Sequence, residues 1–184
     1  MQIKGEKVIL VPIKSEEKEK FYKLATKSFG SKFWYGDEEK KERTKEKFFQ
    51  DWHEGYFDVN SIEKEQCFWI VIKGERIGQV NYNEIDFKNK NVELDIIIGE
   101  RENMGKGYGP DALRTLMKYL FENFDINKIW IGARANNPRA IKAYEKAAFK
   151  REGSLREQDY FEGKFVDVVR FGILKREFFS KSSW

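Results

Sequence analysis

Cysteine and histidine occur once each in these 184 residues, as Cys67 and His53. A lone thiol cannot close an internal disulfide, and one thiol with one imidazole is too little for a clustered metal site, so no metal is expected. Cys67 sits in the strand-like run CFWIVI, where a buried, inert thiol is expected rather than a nucleophile. No apolar run nears the roughly 20 residues that a membrane-spanning helix requires, so no membrane partner is expected. The opening MQIKGEKVILVPIKSEEK has only a short hydrophobic stretch and no small-residue cleavage site, which reads as no signal peptide and a cytoplasmic location. An excess of one charge is also missing: 35 basic residues face 31 acidic ones, interleaved as in KSEEKEK and DEEKKERTKEK. Nucleic acid would call for basic residues gathered on one face, so no nucleic-acid partner is expected. Internal repeats, low-complexity segments and linkers are absent too. A chain of this length buries roughly 70% of its unfolded surface, and residues 1–184 are read as one domain.

What is present centres on residues 92–149. A β-branched strand, Val92 to Ile98, leads to the glycine turn Met104-Gly105-Lys106-Gly107-Tyr108-Gly109. A helix follows directly, with Leu113, Leu116, Met117, Leu120, Phe121 and Phe124 on one face. Such a junction gathers free backbone N–H groups and the positive end of a helix dipole, which suits phosphate. The spacing excludes two common phosphate loops. No Lys-Ser or Lys-Thr follows the glycines as a P-loop needs, and their alternation is not the Gly-x-Gly-x-x-Gly of a dinucleotide fold.

The turn resembles the acyl-CoA pyrophosphate loop of the GNAT superfamily of N-acetyltransferases, Gln/Arg-x-x-Gly-x-Gly/Ala. Gly107 and Gly109 take the two small positions and Met104 stands where Gln or Arg is usual. Further on, Asn137-Pro138-Arg139-Ala140-Ile141-Lys142-Ala143-Tyr144-Glu145-Lys146-Ala147-Ala148-Phe149 is similar to the family's Asn-x-x-Ala-x-x-x-Tyr-x-x-x-Gly-Phe, with Ala148 in place of glycine. The two motifs occur in order, separated by the helix and a strand from Lys128 to Ala133. The C-terminal part looks most like the branch of ribosomal-protein N-terminal and spermidine acetyltransferases.

Taken in order, Lys7 to Ile13 reads as a strand, and Ser15 caps a helix that Gly30 ends. Ser31 to Gly36 reads as an aromatic loop, and Asp37 opens a polar helix to about Glu54, the two together resembling a flap. Gly55 to Gln66 reads as a loop. Cys67 to Lys73 and Arg76 to Ile85 form a hairpin, Asp86 to Asn91 a turn, and Phe149 to Arg156 with Phe165 to Leu174 a second hairpin around Gly163. Ser180 to Trp184 reads as a loose tail. This order predicts an α/β (α+β) fold with a mixed, mostly antiparallel central sheet and helices on both faces, which is the fold the resemblance implies.

The resemblance implies transfer of an acetyl group from acetyl-CoA, as co-substrate, to a primary amine by direct attack on the thioester. The acceptor can be a polyamine, an aminoglycoside or a protein N-terminus. An alkyl ammonium, with a pKa near ~10.4, must lose a proton before it attacks. Glu93 and Asp95 project to one face of the central strand just before the glycine turn, with Glu84 as a third carboxylate. Asp95 also stands before Ile98-Gly99-Glu100, as an Asp does in some aminoglycoside acetyltransferases. Tyr144 holds the position of the family's acid. Amides of Ile97 or Ile98, where the strand splays from its neighbour, can polarise the thioester carbonyl. Lys106, Arg139 and Lys142 can meet nucleotide phosphates. With Glu84, Asp86 and Asp37 to Glu39 the acceptor mouth is expected to be acidic. A non-catalytic acyl-CoA-binding or sensor module on the same fold is the alternative, and the oligomeric state stays open, a homodimer included.

Overall fold

The computed structural model describes residues 1–36 and 44–180. Its strands are β1 (Ile3–Lys4), β2 (Ile9–Pro12), β3 (Gln66–Ile72), β4 (Glu75–Tyr82), β5 (Asn91–Ile98), β6 (Lys128–Arg134), β7 (Lys150–Phe161) and β8 (Lys164–Leu174). The helices are α1 (Lys18–Lys27), α2 (Lys45–Asp51), α3 (Tyr108–Asn123), α4 (Pro138–Lys146) and α5 (Lys175–Ser180). One sheet runs in the order β1-β2-β3-β4-β5-β6-β8-β7. Every adjacent pair is antiparallel except β5 with β6.

Side-chain alternation along β3 shows how the sheet is covered on both faces. Phe68 and Ile70 join a cluster built on Leu113, Leu116, Leu120 and Phe121 of α3. Cys67 and Trp69 join a second cluster with Phe21 and Ala25 of α1 and Phe48 of α2. A strand buried on both faces has no polar side to show, hence the unbroken apolar run CFWIVI. On β5, Val92 and Leu94 point into the α3 cluster, so Glu93 and Asp95 take the face of the second cluster.

The two paired edges of β5 differ. Against β4 it is held from Gly78↔Ile98 to Tyr82↔Leu94, but against β6 only Asn91–Glu93 pair with Lys128–Trp130. β6 meanwhile stays with β8 from Lys128↔Leu174 to Arg134↔Val168. Past Glu93 the two parallel strands therefore part. The glycine turn leaves the end of β5 and α4 leaves the end of β6, which brings both motifs to the mouth of the wedge.

Several expected elements are redrawn. Residues 32–36, expected as an aromatic loop, are helical. The polar helix expected from Asp37 is described as Lys45–Asp51, and its first part, 37–43, lies outside the described residues. The expected loop from Gly55 contains two single-turn helices, Glu54–Phe57 and Val59–Ser61, and Gln66 already belongs to β3. β7 runs on to Phe161, five residues beyond the predicted Arg156. It is the outermost strand and exposed along most of its length, so it has no apolar–polar alternation to read. β1 and α5 are additional, and of the expected tail only Ser180 is described, as the last residue of α5.

Asp111 ties the N-terminal strands to α3. It is 1% exposed, and its carboxylate accepts the backbone N–H groups of Lys7 at 2.8 Å and Val8 at 3.0 Å. Its charge also lies in the first turn of α3, where the helix dipole favours an anion. Asp111→Ala strands both amides and should lower the unfolding free energy by about 2–4 kcal/mol. Urea titration measures this, and a loss below about 1 kcal/mol would show that water satisfies them instead.

Candidate active site

The glycine turn is built for close approach. Gly105 and Gly107 take φ of +77° and +86°, the left-handed region open to glycine, and Gly107 is the N-cap of α3. The Asp111 N–H makes a helical bond to Gly107 O at 3.1 Å, so the amides of Tyr108 and Gly109 precede the ladder, and Pro110 has none. Lys7 adds a cation: its Nζ donates to Lys106 O at 3.3 Å and would lie 3.0 Å from a Cβ at Gly107. Across the wedge, Asn137 caps α4 by accepting the Ala140 N–H at 3.2 Å. Arg139 donates to the Met104 sulfur and stacks over the Phe33 ring at 5.4 Å.

A cavity of about 750 Å³ joins this turn to the carboxylate face of β5. Glu93 and Asp95 line it, and a single amide bridges them: Asn83 Nδ2 donates to Glu93 Oε2 and to Asp95 Oδ2, each at 3.1 Å. Burial, helped by the neighbouring Asp95 charge, pushes Glu93 up to about 7, against the Asn83 bond and Arg170. Burial likewise raises Asp95, against the hydrogen bonds from Asn83 and Asn81. An aromatic wall faces the pair. The Trp34 and Trp52 rings stack at 5.6 Å, Tyr35 lies beside them, and Trp130 stands on β6.

Backbone alternation decides which amides face the wedge. The Asn83 N–H donates to Glu93 O at 3.0 Å and the Gly99 N–H to Ile77 O at 2.8 Å. Residues 93, 95, 97 and 99 therefore turn their backbone groups toward β4, while 94, 96 and 98 turn theirs toward the gap. Ile98 offers its N–H to the cavity. Ile97 spends its own in the ladder opposite Gln79.

Tyr144 reaches the same cavity from α4. It is 6% exposed, packs edge-on to Phe171 at 5.8 Å, and its hydroxyl donates to Gly132 O at 3.4 Å. Burial, followed by the Asp95 and Glu93 charges, raises its pKa well above the ordinary phenol value, so it stays protonated at neutral pH.

Comparison with known proteins decides the family. The acetyltransferase (GNAT) domain matches residues 7–150. A putative ribosomal N-acetyltransferase, YdaF of Bacillus subtilis, is 31% identical over 133 residues, covering 72% of this chain and 70% of its own. A spermidine N(1)-acetyltransferase of Vibrio cholerae is 32% identical over 106 residues, covering 58% and 61%. The crystal structure of the Vibrio cholerae spermidine N-acetyltransferase in complex with CoA and spermine superposes with a TM-score of 0.75 at 23% identity, over 94% of this chain and 98% of that one. The chain belongs to the GNAT acetyltransferases.

As a GNAT enzyme it uses acetyl-CoA as co-substrate and an amine as acceptor. Its own residues fit that co-substrate: two left-handed glycines clear the backbone of side chains, two helix-start amides and Lys7 stand at the turn, and a cavity leads inward from it. Residues of both motifs border one cavity. Met104, Gly105, Gly107, Gly109, Ile97, Ile98, Asn137, Arg139, Lys142 and Tyr144 all border the cavity that holds Glu93 and Asp95. Two expected residues stand outside it. Lys106 is exposed and contributes its carbonyl to Lys7, and Tyr108 packs against the α3 cluster. Glu84 and Asp86 do not line the cavity either, and Asp37 to Glu39 lie outside the described residues. Arg134 and Arg170 line the cavity along with Asp159, so cations as well as acids face it. Arg134 is a clasp there, donating to the Phe33 and Trp34 carbonyls at 3.0 Å each and pairing with Asp159 at 2.8 Å. Asn83, Lys7 and Arg134 are the residues sequence reasoning missed.

Gly107→Val should lower CoA affinity at least ~100-fold, since a side chain there fills the space a phosphate would occupy and forces a strained backbone. Gly163→Val is the control, because Gly163 is also left-handed, at +78°, but lies in the β7–β8 turn. Calorimetry on both folded variants decides it. Equal loss in the two, or none in Gly107→Val, would overturn the assignment.

Proposed function

We propose that this enzyme acetylates a cationic primary amine, with Glu93 and Asp95 as the base pair and Tyr144 as the proton donor to sulfur. The observation that carries this reading is the bridged carboxylate pair facing Trp34, Trp52 and Trp130 in the cavity that reaches the glycine turn. An ammonium finds charge on one side and aromatic faces on the other. Two relatives carry names that agree with an amine acceptor, a spermidine N(1)-acetyltransferase and a putative ribosomal N-acetyltransferase.

Acetyl-CoA supplies the acyl group as a thioester. The turn amides and Lys7 hold phosphate, and the Ile98 N–H aims at the carbonyl oxygen. Glu93 takes one proton from the ammonium and later releases it to solvent; the free amine forms the N–C bond, the C–S bond breaks, the Tyr144 hydroxyl gives the departing sulfur its hydrogen, and the second proton lost by the nitrogen restores the phenol. Raising Glu93 to about 7 brings it closer to the ammonium in basicity and so reduces the cost of deprotonating the amine. Burial of Tyr144 works the other way, making full proton release harder while guaranteeing that the hydrogen is present. Transfer is direct rather than through an acyl-cysteine, because Cys67 is wholly buried and burial raises its thiol.

Tyr144→Phe keeps the ring and removes the donor, so kcat should fall by roughly 10²–10⁴ with CoA affinity little changed. Unaltered turnover with reduced stability would make Tyr144 a packing residue. For the acceptor, thiol release should be measured against polyamines, aminoglycosides and peptide N-termini. The kcat/KM for a polycation should fall as salt rises from about 0.01 M to about 0.15 M, where the screening length shrinks to about 8 Å. Asp95→Asn should penalise polycations most. Activity confined to uncharged peptide N-termini, indifferent to salt and to Asp95→Asn, would overturn the cationic reading.

A further inference from the structure

Asn83 makes four side-chain hydrogen bonds at the centre of a polar network on the face of β4 and β5 opposite α3. Its Nδ2 holds Glu93 and Asp95, while its Oδ1 accepts from Tyr56 Oη at 3.0 Å and Asn81 Nδ2 at 2.8 Å. Asn81 also reaches Asp95 Oδ2 at 3.4 Å and accepts from Gln79 Nε2 at 3.2 Å. Chemistry fixes the amide's orientation. Ionised carboxylates only accept, and the Tyr56 hydroxyl and the Asn81 amide supply donors, so the NH₂ must face the acids and the carbonyl must face away. Both hydrogens of one NH₂ are thus committed to two carboxylates of one site.

We infer that Asn83 is the positioning residue of this acetyltransferase, holding the two carboxylates in their ionised, proton-accepting form, with Tyr56 locking the amide in place. The inference rests on the proposed role of Glu93 and Asp95 as base. Two acids this close repel when both are charged, and burial disfavours charge on either. Asn83 opposes both effects, since a hydrogen bond to a carboxylate favours its ionised form. The other groups turned toward the pair are Arg170 from β8, Tyr144 from α4, Tyr56 from the turn Glu54–Phe57 and Cys67 from β3. Burial raises both phenols and the thiol, leaving them neutral at pH 7. Arg170 is the cation among them, and it is itself engaged over the Trp130 ring at 3.7 Å.

The sign follows directly. Without the Asn83 donor the carboxylates hold their protons to higher pH, so the acidic limb of the rate profile moves alkaline. In Asn83→Leu the limb should shift up by about one pH unit or more, cutting kcat/KM near pH 7 about fivefold or more and recovering most of it by about pH 9. Tyr56→Phe, which retains the ring and frees only the Asn83 carbonyl, should shift it the same way by less. A residue that merely supports the fold would lower activity equally at all pH values.

The carboxyl ¹³C shifts of Glu93 and Asp95, titrated without substrate, give a second readout independent of turnover. An upward shift there in both variants supports the inference. If it occurs without any change in the rate profile, the carboxylates are not the base, and the proposed mechanism fails while the positioning role stands. Unchanged carboxyl titration in folded Tyr56→Phe and Asn83→Leu would overturn the inference whatever happens to the rate.

Discussion

The separation of β5 from β6 after three residue pairs is the constraint on which the rest depends. Sheet hydrogen bonding satisfies a strand's backbone only where a neighbour runs alongside, and β5 loses that neighbour beyond Glu93. From there to Ile98 one side of the strand keeps β4 while the other opens on a cavity, so amides that would have joined a ladder can meet a ligand. Because β5 and β6 are parallel, the segments leaving their C-terminal ends emerge on the same side. That puts the glycine turn and α4 at one mouth, as ligand sites of open α/β sheets lie beyond the carboxyl ends of parallel strands. Neither motif alone makes a site. The gap between the strands does.

Burial does opposite things to the proposed base and the proposed acid. It moves Glu93 from the acid range toward neutrality, where a base is most useful, and moves Tyr144 farther from the range in which it would ionise. Against that burial, the amide side chains of Asn81 and Asn83 donate to the acids, which favours their charged form, and the Asn83 carbonyl is in turn held by Tyr56 and Asn81. A polar row occupies this strand face, and the apolar packing is left to Val92 and Leu94 on the other face.

What could be read in the sequence was local. The glycine turn, the amphipathic α3 and the Asn137 to Phe149 signature are contiguous, and spacing alone orders them. Glu93 and Asp95 share a face by simple alternation, so they could be paired without knowing their neighbours. Asn83 could not be found this way, because its role depends on the β4–β5 register that sets it opposite Glu93. Lys7 approaches Lys106 across 99 positions, which no local pattern predicts. The helical turn at 32–36 was hidden by Phe33, Trp34 and Tyr35, residues of modest helix propensity that look like a loop until their packing partners are known.

Arg134 joins three remote stretches of chain: it sits on β6, holds the carbonyls of Phe33 and Trp34, and pairs with Asp159 on β7. A guanidinium shared in this way makes the aromatic wall and the outer hairpin a single mechanical unit. Moving either one means parting the Arg134 charge from its partners, so the wall and the hairpin do not shift independently.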